Sequence, residues 1–170
     1  MVGLGVNVVV VRMIGVRTTR RRLPFARFTR YDPGMVSIDI TYSGDLHTRA
    51  VHGPSRAELD TDAPKDNQGK GEAYSPTDLL ATSLGTCMLT TMGIVARREQ
   101  VALEGARVRV EKEMTATAPR KVATLRVAFA LPAGVPADQR HKLETAAHQC
   151  PVSRSLHPDV QVITTFDWSL

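Results

Sequence analysis

This chain is short of several things that would narrow its chemistry at once. Of its 170 residues two are cysteine and one is tryptophan, and aromatics make up 5%. Two cysteines in this length do not describe a disulfide-stapled secreted scaffold. Reduced thiols in a cytoplasmic protein fit better, and paired use of the two as a redox couple stays open. No run of 18 consecutive apolar residues occurs, so no membrane span is expected. Gly69-Lys70-Gly71 lacks the rest of the G-x-x-x-x-G-K-[ST] phosphate loop, so nucleotide binding has no support. Acidic residues are missing altogether before Asp32.

That last absence explains the charge. Residues 1–34 hold seven arginines (Arg12, Arg17, Arg20, Arg21, Arg22, Arg27 and Arg30) against Asp32 alone. Taking these from the 22 basic and 17 acidic residues leaves 15 and 16, so the formal +5 becomes −1. A near-neutral remainder gives no support to nucleic-acid binding. Within the extension, apolar Val8 to Val11 precedes the basic cluster, the reverse of a secretory signal, and a transit peptide would carry more serine. The reading is a basic extension over 1–34, poorly ordered or upstream of the true start, with Met35 as a native initiator. Residues 35–170 are expected to form a single domain, long enough to bury a core.

What is present centres on Ser75 to Glu99. Ser75 suits an N-cap, Pro76 the first helical position, and Asp78 the acid of a capping box. Leu80, Leu84, Cys87, Thr91 and Ile94 recur at three- and four-residue steps, and Arg97 and Arg98 suit a helix C-terminus. This predicts one long helix with Cys87 in its middle, on the apolar side. Taken alone, Cys87 reads as a small buried hydrophobe.

Around this helix the pattern changes to period two. Met35 to Tyr42 alternates, with Val36, Ile38, Ile40 and Tyr42 on one face, and predicts a half-buried strand. Ser43-Gly44-Asp45 is a turn, Leu46 to His52 and Arg56 to Asp60 are weaker strands, and Thr61 to Tyr74 is a polar loop. After the helix, Arg107 to Thr115 points Val108 and Val110 inward, and Val122 to Leu131 carries Leu125, Val127, Phe129 and Leu131 on one face. Pro136 opens a second helix to about Gln149, with Leu143, Ala146, Ala147 and Cys150 on its buried stripe. Val152 to Leu156 adds a helical turn. Asp159 to Trp168 is the last strand, with Trp168 in the core. Strands outnumber helices and several are consecutive, which favours α+β with a mostly antiparallel sheet.

The segments Gly71-Glu72-Ala73-Tyr74-Ser75-Pro76-Thr77-Asp78-Leu79-Leu80 through Leu84-Gly85-Thr86-Cys87, and His148-Gln149-Cys150-Pro151-Val152-Ser153-Arg154-Ser155-Leu156, together resemble the OsmC/Ohr family of osmotically inducible and organic-hydroperoxide-resistance proteins. The 63 residues between the cysteines are also similar to the family's spacing. The resemblance covers about residues 35–170. It implies an intertwined homodimer with two long central helices and active sites at the subunit interface. It implies that Cys87 attacks organic hydroperoxides in oxidative-stress defence, that Cys150 resolves the product as a disulfide, and that a lipoyl group or small dithiol reduces it without metal, haem or flavin.

The chemistry is coherent. A thiolate cleaves the O–O bond, becomes a sulfenic acid and condenses with a nearby thiol. A thiolate on the apolar face needs a cation, since the helix dipole fades within one turn and Cys87 lies about three turns in. Family members use an arginine from the N-terminal strands held by a glutamate. Here that glutamate position is Thr77. Asp78 caps the helix, and Glu72 is another candidate from the loop. Arg49 is the first choice for the cation, with Arg56 second. The Thr77 departure places the chain in a divergent OsmC-like branch, and the alternative reading is a catalytically silent scaffold or small-ligand binder. His47, His52 and His141 read as plain surface histidines, and His148, Cys150 and His157 fall short of a four-ligand zinc site.

Overall fold

The computed structural model describes residues 34–170, so the basic extension expected over 1–34 lies, but for Gly34, outside the described residues. The described chain runs β1 (Ile38–Gly44), β2 (His47–His52), β3 (Glu58–Thr61), α1 (Pro76–Arg98), β4 (Arg107–Met114), β5 (Val122–Ala130), α2 (Ala137–His148), α3 (Pro151–Ser155) and β6 (Gln161–Asp167), with a short 3₁₀ turn at Lys65–Asn67. This is the expected α+β order, in two three-stranded sheets, β1-β2-β3 and β4-β5-β6.

The first sheet is antiparallel throughout. Its hairpin turns at Asp45 and Leu46, both at positive φ, as a two-residue loop needs to match the strand twist. Alternation puts Ile38, Ile40 and Tyr42 on one face with Ala50 and Leu59, their register partners or next neighbours. The half-burial expected of β1 does not occur: Ile38, Ile40 and Tyr42 are 58%, 62% and 64% exposed. The period-two pattern holds, but among the described residues no element of the same chain covers that face.

The second sheet carries the core. β5 lies in its middle, antiparallel to β4 and parallel to β6, and the parallel pairing is reached through the α2–α3 crossover. Leu125, Val127, Phe129 and Leu131 are buried, and Phe129 stacks on Phe166 at 4.9 Å. Trp168 packs against this core and donates its indole N–H to Glu144 at 2.8 Å.

Helix α1 begins where its caps dictate. Ser75 Oγ accepts the Asp78 N–H, and the Asp78 carboxylate accepts the Ser75 N–H in return. Its buried stripe is Ala81, Leu84, Gly85, Met88, Met92 and Ala96, rotated from the expected one, and Ile94 is 49% exposed. The rotation has a local cause at Gly85. A Cβ there would come within 2.6 Å of Val110 Cγ2, so glycine sets the face on which helix and β4 approach most closely. By length and composition α1 reaches what a membrane crossing needs, with a mean hydropathy of 1.6. Here part of that apolar surface lies against β4, β5, α2 and α3, and the rest is partly or fully exposed.

Candidate active site

Cys87 sits at the middle of α1, half-buried and packed against the core. Its neighbours on the helix, Leu84 and Met88, are fully buried, and Leu80 is partly so. Cys150 is fully buried and serves as the N-cap of α3, where its Sγ accepts the Ser153 N–H at 3.3 Å. Pro151 at the first helical position ends α2 and starts α3, which fixes the direction of the Cys150 side chain.

These two residues, 63 positions apart, meet where α1 packs against α3. The two thiols are neighbours in the core, and Cys87 acts on the ionisation of Cys150. Burial pushes the Cys150 thiol above the ordinary value. The Ser153 N–H pulls it down, and the Cys87 side chain pushes it up again. Both cysteines are free thiols. Cys87 is partly open to solvent, while Cys150 is shielded and its raised pKa favours the neutral thiol. That division suits an attacking thiol and a resolving one.

Arg49 does not join them. Its guanidinium grips Asp60 with two bonds, at 2.7 and 3.0 Å, and reaches Glu58 at 3.7 Å. It projects with Thr41 and Asp60 from the polar face of the first sheet, opposite Ile40 and Ala50. The guanidinium in turn holds the Asp60 carboxyl below the usual carboxylate range, chiefly by hydrogen bonding. Arg56 is an exposed turn residue at positive φ. Glu72, the other candidate from the loop, faces His47. His148 pairs with Thr164 and His157 with the Asp159 N–H, so neither assembles with Cys150 into a ligand set.

Sequence reasoning misses one polar group. Lys112 of β4 reaches the start of α1 and donates to Asp78 at 2.7 Å, Thr77 at 2.8 Å and Ser75 at 3.4 Å. Its side chain is 15% exposed. The signal is there, since Lys112 shares the inward alternation of Val108 and Val110. Burial pushes the Asp78 carboxyl up, but the Lys112 ammonium and the bonds from Ser75 outweigh it and hold it below the usual range. Thr77, which stands where a glutamate was expected, thus belongs to a lysine network rather than an arginine one. Beside it lies a cleft of ≈ 690 Å³ lined by Tyr74, Asp78, Thr82, Thr86, Val110 and Lys112. On a helix these α1 positions average well over 100° from Cys87, so cleft and thiol occupy different sides of α1.

Comparison with known proteins gives this geometry a context. The family model described as OsmC-like protein matches residues 69–165, which includes both cysteines. A crystal structure from Psychrobacter arcticus, of a protein named for the osmotic stress induced and detoxification response, is 44% identical. It covers 81% of this chain and 99% of its own, with a TM-score of 0.74. The organic hydroperoxide resistance protein OsmC from Legionella pneumophila is 20% identical, covers 78% of this chain and 96% of its own, and superposes with a TM-score of 0.64. That from Elizabethkingia anophelis is 17% identical, with 82% and 100% covered and a TM-score of 0.65. The last two likenesses concern the fold. No curated protein sequence matches the chain.

Proposed function

This chain belongs to the OsmC-like protein family, and from that premise we propose that it is a thiol-dependent peroxidase that reduces organic hydroperoxides to alcohols. The observation that carries the reading is the meeting of a half-exposed Cys87 with a buried Cys150 across 63 residues of chain. The Cys87 thiolate attacks the distal peroxide oxygen, the O–O bond breaks, and the alkoxide leaves as alcohol after taking a proton. Cys87 is then a sulfenic acid. Cys150 attacks its sulfur, water leaves, and a Cys87–Cys150 disulfide results. A dithiol, lipoyl or small, returns both to thiols in the cytoplasm. Leu80, Leu84 and Met88 give the thiol an apolar surround that favours alkyl over hydrogen peroxide.

A second chain completes the proposal. The uncovered apolar face of β1, with Ile38, Ile40 and Tyr42, suits burial against another copy in a homodimer. Among the described residues Arg49 lies on the opposite face of that sheet and is paired with Asp60, and a second copy of the chain would be the source of any arginine acting on the thiol.

The test is turnover of cumene hydroperoxide with a dithiol. The expected result is consumption by the native chain and none by Cys87→Ser; equal turnover in Cys87→Ser overturns the proposal. A second reading, a silent scaffold or ligand binder on the same fold, is favoured by Thr77 and by its engagement with Lys112. One equivalent of peroxide separates the two: rapid loss of both thiols as an intramolecular disulfide supports catalysis, and unreacted thiols support the binder.

A further inference from the structure

Away from the thiols, three side chains from three separate segments converge. His47 opens β2, Asp62 follows β3, and Glu72 lies in the loop that leads into α1. Their ligand-type atoms all lie within 4.8 Å of one another, and among the described residues this is the one such cluster of His, Cys, Asp or Glu. His47 Nε2 stands 3.7 Å from Asp62 Oδ1 and 3.4 Å from Glu72 Oε2.

Two observations go beyond proximity. Asp62 is fully buried, and while its Oδ2 accepts the Glu72 N–H at 2.9 Å, its Oδ1 has no hydrogen-bond partner. A buried carboxylate oxygen left this way is costly unless something positive meets it. It points at the His47 ring. The second observation is the ring itself. His47 Nδ1 lies 2.9 Å from the Asp45 carbonyl oxygen, which accepts and cannot donate. Nδ1 therefore carries the hydrogen, and in the neutral ring Nε2 is left with its lone pair facing two carboxylates. This is the arrangement by which a backbone carbonyl sets the tautomer of a metal-bound histidine.

The spacing decides between an ion pair and a coordinated ion. A charge-assisted N–H···O bond runs about 2.7–2.9 Å, and both separations exceed it. Two ligands about 2.0–2.2 Å from one tetrahedral ion lie about 3.4 Å apart, close to the 3.4 and 3.7 Å that separate His47 Nε2 from the two carboxylates, and the third pair lies within 4.8 Å. The Asp62 carboxyl is also held below the usual carboxylate range, first by the Glu72 backbone N–H, so it presents a negative charge at neutral pH.

We propose that His47, Asp62 and Glu72 form a binding site for one divalent transition-metal ion of the zinc or manganese class. One imidazole with two carboxylates favours such ions over calcium or magnesium, which prefer oxygen alone. Three protein ligands leave the remaining positions to water. The ion would tie the first sheet to the loop entering α1, and the site stands whether or not the thiols are catalytic.

The test titrates the full chain with MnCl₂, read by electron paramagnetic resonance of the free ion, and the Cys87→Ser/Cys150→Ser variant with ZnCl₂, read calorimetrically so that thiols contribute nothing. The expected result is one ion per chain, with affinity reduced about tenfold or more by His47→Gln and by Glu72→Gln. Both residues have solvent-accessible side chains, so these variants keep the fold. Zinc should also move the ¹⁵N resonance of His47 Nε2. Absence of binding by both ions, or binding that neither substitution weakens, overturns the site. So does a His47 ring protonated on both nitrogens at neutral pH and unmoved by zinc.

Discussion

Asp78 illustrates how much one residue does at the helix start. It closes the capping box with Ser75 and anchors the Lys112 ammonium, and it is the only acid in the first turn of α1. Its folded pKa is depressed, so its contribution to stability is present above the ordinary carboxylate value of 3.8 and lost as pH falls through the folded one. The native chain should therefore lose thermal stability on acidification below that value, in part through Asp78. Asp78→Asn should be less stable at pH 7 and show a shallower fall over the same acid range. Thermal melts at stepped pH measure both slopes, and parallel curves for the two proteins would rule out the linkage. Cys150 works in the opposite direction, since burial raises its pKa and keeps it a neutral thiol well past neutrality.

At the scale of elements, the fit between α1 and β4 rests on Gly85. In an ordinary exposed helix, Gly→Ala stabilises by about 1 kcal/mol. Here the new methyl would sit 2.6 Å from Val110 Cγ2, and overpacking a well-filled core costs about 1–3 kcal/mol. Gly85→Ala should therefore lower the urea midpoint, and Gly85→Ala combined with Val110→Ala should recover part of the loss. A rise in the midpoint of the single variant would show that the helix moves away freely. The capping box, by contrast, is legible in the amino-acid order itself: Ser75, Pro76 and Asp78 act within four residues, where local sequence and local geometry are the same thing. The stripe is less legible because Gly85, silent in a hydrophobic pattern, sets the angle at which α1 rolls onto the sheet.

At the scale of the molecule, the first sheet presents a row of large apolar side chains with no cover from the described residues of its own chain. The homodimer proposed above would cover this face, and the expected sedimentation mass is then twice that of one chain. Ile40→Lys places a charge in the middle of that face and should shift the equilibrium toward monomer, with far-ultraviolet circular dichroism unchanged. A native chain that sediments as a monomer at micromolar concentration would exclude the dimer. The same sheet shows what Arg49 does within one chain, where it pairs with Asp60 and Glu58. It does lie in an N-terminal strand, but the face on which it projects depends on register, and register places it with Asp60.

The local grammar of this chain, its caps, its alternations and its two cysteine-bearing segments, sufficed to give the α+β order, the two longer helices and the family. Those features depend on residues a few positions apart, or on a family resemblance carried by short motifs. Tertiary structure alone decided which face of α1 is buried, that Lys112 holds Thr77 and Asp78, that Arg49 turns to Asp60, and that His47, Asp62 and Glu72 converge. Each of these is a meeting of side chains from separate elements, and no periodicity along a chain encodes the angle and register at which its elements come to rest.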